Sequence, residues 1–236
     1  MLIKRHIASS GSIGVPTPSF TKGTIIVTLI SFIERVIVSF QRNNSCSTVE
    51  IEDVISFHLA LQFNDQARKE SQFFLFDRQT PEKQPSGHTR SLDIGVFRSY
   101  SDTAPDVTRF FAIEAKRLPT PESSRRQEYV TGNVYGSLTG GIERFKHGVH
   151  GHGLPISSII GYVQQNQTTH WPPEINSWID GLILSSHDPR IEWHQDDKLI
   201  DQQQLNGDKV LKLVSNSKRI DNSFIQLIHY LILIED

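Results

Sequence analysis

From Thr24 onward the apolar residues Ile26, Ile30, Ile33, Ile37 and Phe40 recur every three or four positions, while Thr28, Ser31, Arg35 and Ser39 line the other side. That period predicts an amphipathic helix. Ser47 and Glu50 stand at capping-box spacing and open a second helical pattern through Ile51, Ile55, Leu59 and Phe63. Beyond it the texture changes to short apolar runs between turn-rich stretches, the appearance of strands in a mostly buried sheet. Strands are predicted over 72–77, 91–98 and 109–118, the first two separated by the loop RQTPEKQPSGHTR and the last two by the hairpin-like SYSDTAPD. Pro119 and Pro121 stop the third strand, and a helical stretch from about Ser123 leads into the Gly-rich TGGIERFKHGVHGHG. A strand over 158–164, a helix over 173–179 and a short strand over 181–185 follow.

Residues 222–234 are apolar on nearly every side, which predicts a helix buried in the core or in a subunit contact. Residues 1–22 mix Ser, Gly, Pro and Thr without a period and read as a flexible N-terminal arm. The rest, 23–236, is long enough for one substantial core and short for two, so a single α/β domain is expected.

Composition narrows the setting. With 37% hydrophobic and 21% charged residues, the chain has the make-up of a folded protein. Cys46 is the only cysteine, which excludes an intramolecular disulfide and fits a reducing compartment. The longest apolar stretch, about 23–40, is interrupted by Glu34 and Arg35, and no signal-peptide cleavage pattern is seen, so a cytoplasmic protein that does not span a membrane is expected. A net charge of −2 argues against coating nucleic acid by bulk electrostatics. Any such contact must come from a local patch, and residues 109–152 supply one, with seven Lys or Arg against four Glu.

The candidate chemistry lies on two of the strands. In SLDIGVF, alternation sets Leu92, Ile94 and Val96 on one face and Asp93 on the other. In RFFAIEAKRL, Phe111, Ile113 and Ala115 share one face, and Glu114 and Lys116 project together from the opposite one. If the strands are neighbours, two carboxylates and an ammonium converge at one end of the sheet. Hard Mg²⁺ takes oxygen ligands, often only one or two of them carboxylates, and completes its shell with water and phosphate oxygens. An adjacent lysine can orient an attacking water or stabilise charge on the phosphate. The alternative is that Glu114 and Lys116 are merely solvated or ion-paired.

Asp93, followed twenty-one positions later by Glu114-Ala115-Lys116, resembles the PD-(D/E)XK nuclease superfamily, with Leu92 where that signature has proline. The resemblance implies a restriction-endonuclease-like αβββαβ core over about 48–185, a mixed central sheet flanked by helices, with N-terminal and C-terminal helices added. It implies Asp93, Glu114 and the Ala115 carbonyl as metal ligands, Lys116 acting on the attacking water, and Glu52 as a further carboxylate from the first core helix. The cofactor implied is Mg²⁺, with Mn²⁺ able to take its place. The substrate is DNA in preference to RNA, the setting restriction or anti-phage defence, and the assembly a homodimer or a subunit of a larger complex. The competing expectation is a non-catalytic relative that binds or assembles.

Arg117, Arg125, Arg126, Arg144, Lys146 and Gln164 are the candidate nucleic-acid contacts, the basic ones because cations downstream of the site suit a phosphate backbone. His147, His150 and His152 lie close in sequence, but their glycine-rich surroundings favour a phosphate-contacting loop or a plain turn over a metal site. Trp171, Trp178 and Trp193 can stack on bases, although core packing is expected for at least two.

Overall fold

The computed structural model describes residues 22–43, 46–82, 90–98, 108–132, 138–186 and 188–235. The arm expected over 1–22, apart from Lys22, and the SYSDTAPD connection lie outside the described residues. The chain is α/β, with a seven-stranded open mixed sheet flanked by helices. The strands are β1 (Phe74–Glu82), β2 (Arg90–Arg98), β3 (Phe111–Leu118), β4 (Ile156–Val163), β5 (Ile200–Gln204), β6 (Val210–Lys218) and β7 (Phe224–Leu233), in spatial order β1-β2-β3-β4-β7-β6-β5. Pairing is antiparallel through β1, β2 and β3, parallel from β3 to β4 and from β4 to β7, and antiparallel again through β7, β6 and β5.

Two apolar clusters cover the two faces. On one face, α1 (Lys22–Asn43) and α2 (Glu52–Lys69) pack over Ile94, Val96, Ile113, Ile160, Tyr162 and Tyr230. The buried stripe of α1 is Leu29, Phe32, Ile33, Val36, Ile37 and Phe40, a broader band than the one read from Ile26 and Ile30, which are only partly buried. By length and apolarity alone α1 also qualifies as a membrane span over Gly23–Asn43. On the other face, α3 (Gly141–Lys146) and α4 (Trp171–Leu184) pack over Ala112, Leu118, Ile159, Leu227 and Leu231. In α2, Glu52 and Asp53 in the first turn and Arg68 and Lys69 in the last complement the helix dipole.

Three expectations are corrected here. The C-terminal segment is the strand β7, not a helix. It lies between β4 and β6 with both faces covered, Ile228, Tyr230 and Ile232 on one side and Leu227, Leu231 and Leu233 on the other. A strand buried on both faces loses its period-2 signature and reads as a continuous apolar run. Residues 181–184 continue α4 instead of forming a strand, because Leu182 extends the buried face of Ile175, Trp178 and Ile179. The capping box at Ser47 and Glu50 does not start the second helix. That helix begins at Glu52 behind Ile51, which makes no side-chain cap.

One buried polar chain threads the second layer. Tyr129 Oη lies 2.9 Å from His229 Nδ1, and Ser215 Oγ lies 2.9 Å from His229 Nε2, all three residues fully enclosed. Burial pushes His229 down to about 3, so it folds as neutral imidazole. Its ordinary value is 6.5, so between the two values the unfolded chain binds the extra proton. The stability this group contributes is complete above the unfolded value and is lost as pH falls from about 6.5 towards 3, by about 1.4 kcal/mol per pH unit. Urea unfolding of wild type and His229→Gln between pH 7 and pH 4 is expected to show the shallower acid slope in the variant, and parallel slopes would refute the assignment.

Candidate functional site

Strands β2 and β3 are paired from Val96↔Phe111 to Ile94↔Ile113, one residue short of Asp93 and Glu114. There the backbone ladder gives way to a side chain, for Asp93 Oδ2 accepts the Ala115 N–H at 2.7 Å. Lys116 Nζ lies 2.7 Å from Glu114 Oε1, donates to the Ala115 carbonyl at 2.8 Å, and stands 3.6 Å from Glu52 Oε1. The other oxygen of Glu52 accepts the Arg117 N–H at 3.0 Å, which fixes the start of α2 against β3. Glu52, Asp93, Glu114, the Ala115 carbonyl and Lys116 are therefore brought together from α2, β2 and β3.

Two further side chains complete the cluster. Arg144, from α3, pairs through its guanidinium with Glu114 Oε1 and donates from Nε to the Leu138 carbonyl at 3.0 Å. His150 places Nε2 3.2 Å from Glu114 Oε2. Gln164, just past β4, donates to the Glu50 carbonyl at 2.7 Å, and Arg117 donates to the same carbonyl at 3.3 Å. Both thus brace the chain entering α2 at the edge of the site.

The charges do not balance. Burial alone would raise Glu114, but Lys116, His150 when it carries a proton, and Arg144 bring it down to about 2. Asp93 is raised well above the carboxylate range, first by burial and then by the charge of Glu114. Glu52 is raised as well, by burial and by Glu114, with Lys116 opposing. Burial would lower Lys116, yet Glu114, Glu52 and Asp93 raise it and hold it protonated. His150, lowered by burial to about 4, is neutral at pH 7. Three carboxylates thus share two fixed cations, Asp93 and Glu52 hold protons more readily than ordinary carboxylates, and the oxygen-rich donor set suits a hard divalent cation.

The remaining predicted contacts divide. Arg125 and Arg126 are largely exposed and pair with Glu128 and Glu174 respectively. Lys146 is corrected. It is 0% exposed, pairs with both oxygens of Asp197 at 2.7 and 2.8 Å and lies 4.9 Å from the centre of the Trp193 ring, so it braces the interior. Trp171, Trp178 and Trp193 are all buried in the second layer. The three histidines diverge, with His150 at Glu114, His147 Nε2 3.0 Å from Asp188 Oδ2, and His152 exposed. Glu143, His147 and Asp188 present ligand atoms within 4.8 Å of one another, a second group with metal-binding residue types. Its oxygens already have structural work: Arg190 binds both oxygens of Asp188, and Glu143 accepts the N–H groups of Gly132 and Gly140. Gly140 itself stands so close to the facing chain that a Cβ would lie 2.2 Å from Thr131 Cα.

Comparison of the chain with protein-family models, curated proteins and solved structures gives no match.

The two central carboxylates are expected to respond oppositely to neutralisation. Glu114→Ala strands Lys116 and Arg144 without their partner, and loss of a buried ion-pair partner costs about 3–5 kcal/mol. Asp93→Asn can keep an oxygen on the Ala115 N–H while removing repulsion with Glu114, so its melting temperature is expected to equal or exceed that of wild type. Thermal melts of the two variants decide this, and a strongly destabilised Asp93→Asn would contradict the charge assignment.

Proposed function

We propose that the chain is a magnesium-dependent nuclease that hydrolyses phosphodiester bonds, with Asp93, Glu114 and Lys116 at its centre. The observation that carries this reading is the convergence of Asp93 from β2 with Glu114 and Lys116 from β3, joined by Glu52 from α2. The succession α2-β1-β2-β3-α3-β4 supports it, being the αβββαβ order expected of the PD-(D/E)XK superfamily. DNA as substrate, a homodimer or larger complex, and a cytoplasmic role in restriction or anti-phage defence follow from that resemblance.

Asp93, Glu114 and the Ala115 carbonyl, with Glu52 behind Lys116, are the groups that would hold Mg²⁺, and Mn²⁺ suits the same oxygens. The ion supplies neutralisation of phosphate charge and acidification of a bound water. Lys116, held protonated by its three carboxylate neighbours, offers an ammonium to charge developing on the phosphate rather than a base to take a proton. Glu52 and Gln164 fix the geometry around it, Glu52 through the Arg117 N–H and Gln164 through the Glu50 carbonyl.

A second reading also has an observation on its side. Glu114 is wholly enclosed by Lys116, Arg144 and His150, as it would be in a non-catalytic relative whose carboxylate has become a structural ion pair. Incubation of supercoiled plasmid with protein and Mg²⁺ separates the two. Nicking that EDTA abolishes and that falls by about 10²-fold or more in Asp93→Asn and Lys116→Met is expected. Absence of cleavage on duplex DNA, single-stranded DNA and RNA alike would leave the non-catalytic reading. Asp93→Asn is the decisive variant, because its folding is expected to survive.

A further inference from the structure

Resting on the metal-site reading above, we infer that Arg144 alternates between two acceptors, the Glu114 carboxylate in the metal-free protein and a substrate phosphate once the metal is bound. Glu114 Oε1 accepts from Lys116 Nζ at 2.7 Å and also pairs with Arg144, while Oε2 faces His150 at 3.2 Å. Oε1 thus carries both cationic donors, whereas Oε2 makes no hydrogen bond among the described residues, in a site with no exposure. Lys116 links Oε1 to the Ala115 carbonyl, so a divalent cation shared by those two groups meets Lys116 and Arg144 at Oε1, and one of the two must give way.

Arg144 is the donor able to leave. The ammonium of Lys116 is also tied to the Ala115 carbonyl at 2.8 Å, and its side chain is 5% exposed. His150 is fully buried and faces the other oxygen. The Arg144 side chain is 21% exposed and is the one of the three with a path to solvent. Its Nε bond to the Leu138 carbonyl provides a pivot at the margin of the site. A guanidinium released there meets a phosphate with the planar fork that binds it best. The consequence is linkage: metal and phosphodiester strengthen each other's binding through Arg144, by the same factor in both directions.

The test compares wild type, Arg144→Gln, Arg144→Lys and Asp93→Asn. Mg²⁺ affinity is measured by calorimetry, and affinity for a fluorescein-labelled phosphorothioate DNA duplex by anisotropy with and without Mg²⁺, each protein having first been shown to melt cooperatively. Arg144→Gln is expected to bind Mg²⁺ about fivefold or more tightly than wild type when DNA is absent, and to lose the about fivefold or greater gain in duplex affinity that Mg²⁺ confers on wild type. Arg144→Lys is expected to fall between the two. A purely structural arginine would weaken both ligands or neither, so an unchanged or lower Mg²⁺ affinity in both Arg144 variants overturns the inference. Failure of the metal-site reading looks different: wild type then binds no Mg²⁺, or binds it no better than Asp93→Asn.

Discussion

A single buried carboxylate organises this end of the molecule. Glu114 projects from β3 into the layer beneath α3, and Lys116, Arg144 and His150 gather on it. Through those contacts it ties the sheet to α3 and to the turn that follows, and through Lys116 it reaches Glu52 at the start of α2. A charge so deeply buried is tolerable only with partners of opposite sign and fixed geometry. The positions of α2, α3 and the loop after it are in that sense the solvation shell of one side chain.

The same cluster is a source of tension. Asp93 and Glu52 are held where a negative charge on either meets burial and the charge of Glu114, so both take up a proton more readily than an ordinary carboxylate. A fold selected for stability alone would place an amide or an apolar group at one of these positions. Retaining the third carboxylate makes physical sense if a further positive charge visits the site. Strain of this kind concentrates where binding or chemistry takes place.

β3 was legible because alternation fixes which residues share a face, and Phe111, Ile113 and Ala115 do line one cluster; in β2 the expected alternation breaks, for Leu92 joins the opposite cluster from Ile94 and Val96. The partners of Glu114 were not legible. Arg144 and His150 lie thirty and thirty-six positions downstream, and only the packing of α3 against β3 turns them inward. The interior place of Lys146 is hidden for a related reason: a lysine looks like a surface residue until its buried partner, here Asp197 fifty-one positions away, is known. β7 was hidden by its own burial on both faces. β6 escaped notice because Ser215 and Ser217 continue the buried alternation of Leu211 and Leu213 with small polar groups, one bonded to His229 and the other to Asp197.

The position of β7 also bears on how the chain assembles. It is the last of the described strands in sequence, yet it sits between β4 and β6 and pairs with both along nearly its whole length, its residues meeting partners in β4 about seventy positions earlier. During synthesis β1 to β4 emerge first and can form a half-sheet, with one side of β4 left as an open parallel edge. That edge has no strand partner until β7 is made, and β5 and β6 have no ladder joining them to β4 before then. Completion of the sheet thus acts as a late checkpoint, passed only when the most apolar strand of the chain finds its slot instead of another molecule.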